Sequence, residues 1–263
     1  MRNGGHVMIY KRVAARLRAQ DWFAITIELA IVIVGVFIGT QVSNWNQERL
    51  EKREAQRMLT QLDPQLQAMS DYFSSARRYY ATTRAYTTTA IAGWRGDPNV
   101  SDNEFVIAAY QASQIYTLGA NNSSWATVLG ADQLRNIDDP VMRADLSFLM
   151  STDYSQIDQM AVDTPYRQNV RRIIPIEIQD AIRERCGDRQ EPGNFLVLTL
   201  PAKCDLRISP AVAAQVAARL RAHPKLMEDL QWHTAAIASF LSNIVNFETA
   251  VRNVQQKVKE LPQ

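Results

Sequence analysis

Histidine and cysteine are scarce in this sequence: three of the first (His6, His223, His233) and two of the second (Cys186, Cys204) in 263 residues. So few imidazoles leave little for acid–base or metal chemistry, because His titrates near neutrality and is the commonest metal ligand. Also missing are a His-Glu-x-x-His pair, a Gly-x-Ser-x-Gly elbow, a glycine-rich phosphate loop and a Cys-x-x-Cys pair. Their absence removes the readings that rest on those motifs: zinc peptidase, serine hydrolase, nucleotide binder and thiol oxidoreductase. Cys186, Cys204, His223 and His233 are spaced unlike compact structural zinc sites. No metal or cofactor is therefore expected, no catalytic residue is nominated, and the chain does not read as an enzyme. Lys+Arg 29 against Asp+Glu 27 leaves +2, so no global charge draws the chain to nucleic acid.

What the sequence does have is one long apolar run, from Trp22 to Trp45. A membrane-crossing helix needs about 20 predominantly apolar residues, and this run supplies them. On a helix the two tryptophans stand roughly 34 Å apart, which puts one indole in each interfacial belt. A cleaved signal peptide has a shorter apolar core and a small-residue cleavage site; Gly39–Asn44 offers no Ala-x-Ala. The run reads as an uncleaved signal anchor in contact with the lipid bilayer.

Charge leans towards a cytoplasmic N-terminus. The first flank carries Arg2, Lys11, Arg12, Arg16 and Arg18, the second Arg49, Lys52, Arg53 and Arg57, and Lys and Arg favour the cytoplasmic side. Residues Val7–Leu17 mix apolar and basic side chains at helical spacing; they fit either a helix lying on the membrane face or a simple topogenic tail. Cys186 and Cys204 close a short polar loop, and such a pair persists as a disulfide in an oxidising compartment. Together these place residues 1–21 in the cytoplasm as a basic tail and the C-terminal domain on the opposite, oxidising side of the membrane.

After the membrane run the helical signal continues. Ala55, Leu59, Leu62, Leu66, Met69, Phe73, Ala76, Tyr80, Thr83, Thr87 and Trp94 recur at alternating three- and four-residue steps with only one gap, before Trp94, the stripe of a helix facing a partner. Pro64 removes one backbone donor but the stripe keeps phase across it. Residues 46–95 are thus a long juxtamembrane helix, standing as a stalk or folding into the domain of residues 96–263. Ser101–Glu104 is a capping-box sequence. Asp139-Pro140, Thr164-Pro165, Ile174-Pro175, Ser209-Pro210 and His223-Pro224 each open a further helix, and Ser123 or Ser124 caps a short one. Phe195–Leu200 and Cys204–Ser209 form either a hairpin or a loop threaded against the bundle. The fold class expected is all-α, with at most a minor β-hairpin.

Glu28, the Ile/Val-rich run with Gly35, and Gln41-Val42-Ser43-Asn44-Trp45-Asn46-Gln47-Glu48-Arg49 resemble the anchor of a bacterial family of uncharacterised single-pass membrane proteins. In that family a short basic tail precedes a pattern like G-E-I-x-L-V-x-x-G-x-x-I-A-x-Q-I-N-N-W-N-E-x-R. Here Ile27 stands at the family's Gly, Gly39 at its Ala, and Thr40 where it favours Leu. Trp125-x-x-x-Leu129-Gly130 and Leu134-x-x-Ile137-x-Asp139-x-x-Met142-Arg143-x-x-Leu146 resemble its second helical block. The resemblance implies a single-pass protein with a helical extracytoplasmic domain and implies no activity.

Glu28 is a carboxylate inside the apolar run, where such groups usually face a partner; snorkelling at shallow depth is the other account. Glu28, Val32, Gly35, Gly39, Ser43 and Asn46 are spaced by four, three, four, four and three, so they share a mostly small or polar face. Small residues let membrane helices approach closely. That face is expected to pack on another transmembrane helix, its own copy or a partner's. The aromatics Tyr79, Tyr80, Tyr86, Trp94, Tyr110 and Tyr116 read either as core or as the lining of a ligand pocket, and the ligand, if one exists, is unknown. Interaction or scaffolding in a membrane assembly is the leading role, ahead of a periplasmic ligand-binding module.

Overall fold

The computed structural model describes residues 22–116, 134–151 and 164–260. The basic tail, the short helix expected near Trp125, and Ile157 and Met160 lie outside the described residues. The chain divides into two units, Met1–Glu54 and Ala55–Gln263, and α1 (Trp22–Trp94, 73 residues) contributes to both. Among the described residues there are seven helices and one two-stranded sheet, an all-α fold with a minor hairpin.

In the first unit α1 is long and apolar enough to cross a membrane, and none of its apolar window is buried. In the second unit the same helix supplies the core. Ala55, Leu59, Leu62, Leu66, Met69, Phe73, Ala76, Tyr80, Thr83 and Thr87 are all buried, as the stripe requires. Pro64 sits inside the helix without ending it, because Leu62 and Leu66 on either side are fully enclosed and hold the turn. The helix ends where Gly96 takes φ +74°: Asp97 N–H reaches the Ala92 carbonyl and Gly96 N–H that of Gly93, a Schellman stop that needs a left-handed residue. A Cβ at Gly93 would overlap the Phe105 ring, so α2 packs directly on α1 backbone there.

Local caps set the remaining starts. Ser101 and Glu104 form the full capping box of α2 (Asp102–Gln111). Asp139 Oδ1 accepts from the N–H groups of Val141 and Met142 and opens α3 (Pro140–Ser151). Thr164 caps α4 (Pro165–Ile173); α5 is Ile176–Cys186, α6 Pro210–Ala222 and α7 Leu226–Lys259. The last starts three residues after His223 rather than at Pro224. α7 is the second long helix and carries α3 and α4 against it. It is clamped to α1 by Phe73 stacking on Phe247 and by Arg77, which reaches both Glu248 carboxylate oxygens at 2.6 and 2.5 Å.

The hairpin differs from the expected pairing. β2 (Asn194–Thr199) pairs antiparallel with β1 (Arg189–Glu191), which precedes it, and not with Cys204–Ser209. Gly193 at φ +83° makes the tight turn between the strands possible. The later segment is a loop: Leu206 is buried, and Asn103 both donates to the Leu206 carbonyl and accepts from Ile208 N–H.

Candidate functional site

The structure offers two candidate places, one in each unit. In the first, Glu28, Val32, Gly35, Gly39, Ser43 and Asn46 lie along one face of α1 and all are exposed. Nothing stands within 4 Å of where a Cβ on Gly35 or Gly39 would be. Trp22 and Trp45, near the two ends of the apolar run, are 78% and 60% exposed. Thr26 and Thr40 return their hydroxyls to the Trp22 and Phe37 carbonyls, so these two polar groups inside the run are satisfied by the helix itself.

The second place is a polar network between α1, α2, α4 and the end of α5. The expected aromatic set is here, and it is core rather than pocket lining: Tyr79, Tyr80, Tyr86, Tyr110 and Tyr116 are buried. Their hydroxyls are spent on the fold. Tyr79 donates to Asp188 Oδ1 at 2.8 Å, Tyr86 donates to the Pro201 carbonyl, and Tyr80 and Tyr116 accept from Tyr116 N–H and Leu198 N–H. Trp94 Nε1 donates to the Leu220 carbonyl. Buried phenols are expected to find such partners.

Charged groups reach into the same network. Arg167 donates to the Ser113 carbonyl at 2.7 Å. Arg171 donates to Tyr110 Oη and Gln114 Oε1, with its guanidinium 4.9 Å from the Tyr110 ring centroid. Gln111 donates to the Cys186 carbonyl. Burial, and then the charge of Arg171, lower the Arg167 pKa. Asp188 is exposed as a residue, yet its carboxyl meets the buried Tyr79 hydroxyl, and desolvation there raises its pKa against the opposing hydrogen bond from Tyr79 and charge of Arg167. On α7, His233 is fully buried and shares a 2.7 Å hydrogen bond with Thr164 Oγ1, the cap of α4. Burial, then Arg167, push it down to about 4.

Arg167, Asp188, Gln111 and Gln114 had no signal in the sequence, because polar residues at helical spacing read as surface. Arg77 is committed to Glu248, and Arg171 to Tyr110 and Gln114. Cys186 and Cys204 are joined as a disulfide, with Cα atoms 5.3 Å apart, within ordinary bridging range. The bond fits an oxidising compartment. It also ties the end of α5 to the loop after β2. A hollow between α1 and α7, lined by Tyr80, Thr83, Thr87, Thr234, Ile237 and Leu241, has about 40 Å³, room for water rather than a metabolite. A larger hollow of about 670 Å³ at Thr88, Ile91, Arg95 and Asp97 is open to solvent. Among the described residues no group of three or more His, Cys, Asp or Glu side chains is arranged to hold a metal ion. No family model, curated protein or solved structure matches this chain.

Proposed function

We propose that this protein is a single-pass component of a bacterial inner membrane, with its N-terminus in the cytoplasm and its helical domain in the periplasm. Its role is interaction: it holds or organises a membrane partner through the anchor, and it is not an enzyme. The observation that carries the reading is the Glu28–Asn46 face, mostly small or polar and exposed throughout, with both glycines open for a second backbone to approach. Lipid offers apolar side chains nothing it denies them elsewhere, so a carboxylate and close-packing glycines on one stripe favour a protein neighbour over acyl chains. The resemblance of the anchor motif to uncharacterised bacterial membrane proteins and the Cys186–Cys204 bond support the compartment.

Two experiments test this. A reporter fused at the C-terminus is expected to read periplasmic; a cytoplasmic signal would overturn the orientation and with it the compartment. In membranes, Gly35→Leu is expected to reduce cross-linking and co-purification of the partner helix by steric bulk. Glu28→Leu should weaken the association by about 1 kcal/mol, the scale of an interhelical polar contact, while Ile33→Leu on the opposite face leaves it intact. Unchanged association in both disruptive variants would reduce the stripe to a plain anchor.

A further inference from the structure

We infer that the helix face carrying Trp45, Arg49 and Arg53 binds anionic phospholipid headgroups. The inference rests on the membrane reading of α1 and adds a ligand class to it. At 3.6 residues per turn, Trp45, Arg49, Lys52 and Arg53 fall within about 100° of one another around the helix. Glu51 and Glu54 lie across the helix from that arc, and Glu48 borders it beside Lys52. A segment with no net charge thus gathers Trp45, Arg49 and Arg53 on one side and two of its three glutamates on the other. Gln47 Nε2 donates to Glu51 Oε1 at 3.1 Å, which engages an acid on the far side. Among the described residues neither Arg49 nor Arg53 makes an ion pair.

The geometry aims this face at the membrane. Trp45 is largely exposed and stands at the end of the apolar run, at headgroup level. Arg49 and Arg53 follow one and two turns later, roughly 6 and 12 Å along the axis. Helical side chains lean towards the N-terminus, which here is back towards the bilayer. The Arg49 guanidinium lies over the Trp45 ring, 5.1 Å from its centroid, a cation–π contact that holds the fork in place. A planar guanidinium held at headgroup depth matches a phosphate oxygen pair bidentately.

The test uses the full chain and vesicles of phosphatidylcholine, alone or in equal parts with phosphatidylglycerol. Lipid retained by the purified protein is counted by native mass spectrometry. The wild type is expected to enrich phosphatidylglycerol, and Arg49→Gln/Arg53→Gln to lower that enrichment roughly fivefold for each guanidinium removed. Arg49→Lys should keep part of it, since charge survives and the fork does not. Both substituted residues are exposed, so the bundle's melting should not move. Full enrichment in the double variant would assign the lipid to another basic segment, such as the tail, and overturn the inference. A wild type that floats with both vesicle types but shows no headgroup preference overturns this inference alone; a chain that floats with neither overturns the anchor reading beneath it.

Discussion

Acidification from pH 6.5 to 4 is expected to remove about 3 kcal/mol of folding stability through His233 alone, the worth of a pKa falling from 6.5 to about 4. His233 is fully buried, hydrogen-bonded to the Thr164 cap of α4, flanked by the Tyr166 ring, and near the positive charge of Arg167. A proton on the imidazole would place a second cation beside Arg167 and at the N-terminus of α4, where the helix dipole also opposes it. The folded pKa lies below the unfolded one. The contribution is therefore complete above about pH 6.5, declines as pH falls, and levels off below about 4. Glu104 and Asp139 are held low by Ser101 and Lys257, and lose their contributions only below their ordinary values of 4.5 and 3.8. Asp188, raised by desolvation, has the opposite sign, since acid relieves its charge. Denaturant unfolding of the full chain in detergent, at several pH values, reads the slope. His233→Asn keeps a hydrogen-bonding atom near Thr164 and cannot titrate, so it should flatten the slope between pH 6.5 and 4.5 whatever its cost at neutral pH. A variant slope equal to that of the wild type would refute the assignment.

Removing the disulfide should have an effect of similar size. Cys186 and Cys204 stand 18 positions apart, and constraining a loop of this size in the unfolded chain is worth about 3 kcal/mol in the chain-entropy account. The bond does more than close a loop. Between its ends lie the hairpin and a run of contacts to α1: Asp188 to Tyr79, Leu198 to Ser75, Pro201 to Tyr86 and Asn194 to Asp71. Each is a single hydrogen bond, individually worth about 1 kcal/mol, and each depends on the segment staying seated. Cys186→Ala/Cys204→Ala is therefore expected to lower the denaturation midpoint and to speed amide exchange through residues 194–208, with the middle of α7 changed less. Buried Cys186 makes the double substitution a cleaner probe than a reductant. Equal midpoints and equal exchange in β2 would show that the side-chain contacts suffice without the bond.

The helix starts were legible because capping is local chemistry. Ser101 with Glu104, Thr164 with Arg167 N–H, and Asp139 with the amides of Val141 and Met142 all act within three residues. The long stripe on α1 was legible for the same kind of reason, a period repeated often enough to survive Pro64. The strand pairing was not. Arg189–Glu191 is fully exposed and only three residues long, so no alternation marked it. Its choice as partner follows from Gly193, which turns the chain immediately before β2. Pro201-Ala202-Lys203, between the two segments expected to pair, leads into a loop held by Asn103 from another helix.

The sequence by itself determined that this chain is helical, where most of its helices begin, that one of them can cross a membrane, and which cysteines would meet. Each of these depends on hydrophobic length, periodicity or a contact within a few residues. Only the tertiary structure decided what the polar residues do. Arg77 meets Glu248 across 171 positions, Tyr79 meets Asp188 across 109, and Thr164 meets His233 across 69. Such pairs leave no mark on local periodicity, because an arginine on a helix looks solvated until another helix arrives to bury it. For Tyr79, Thr164 and His233, which are buried, the hydrogen bond is then obligatory, since an unpaired polar group in the interior costs more than the bond itself contributes in water.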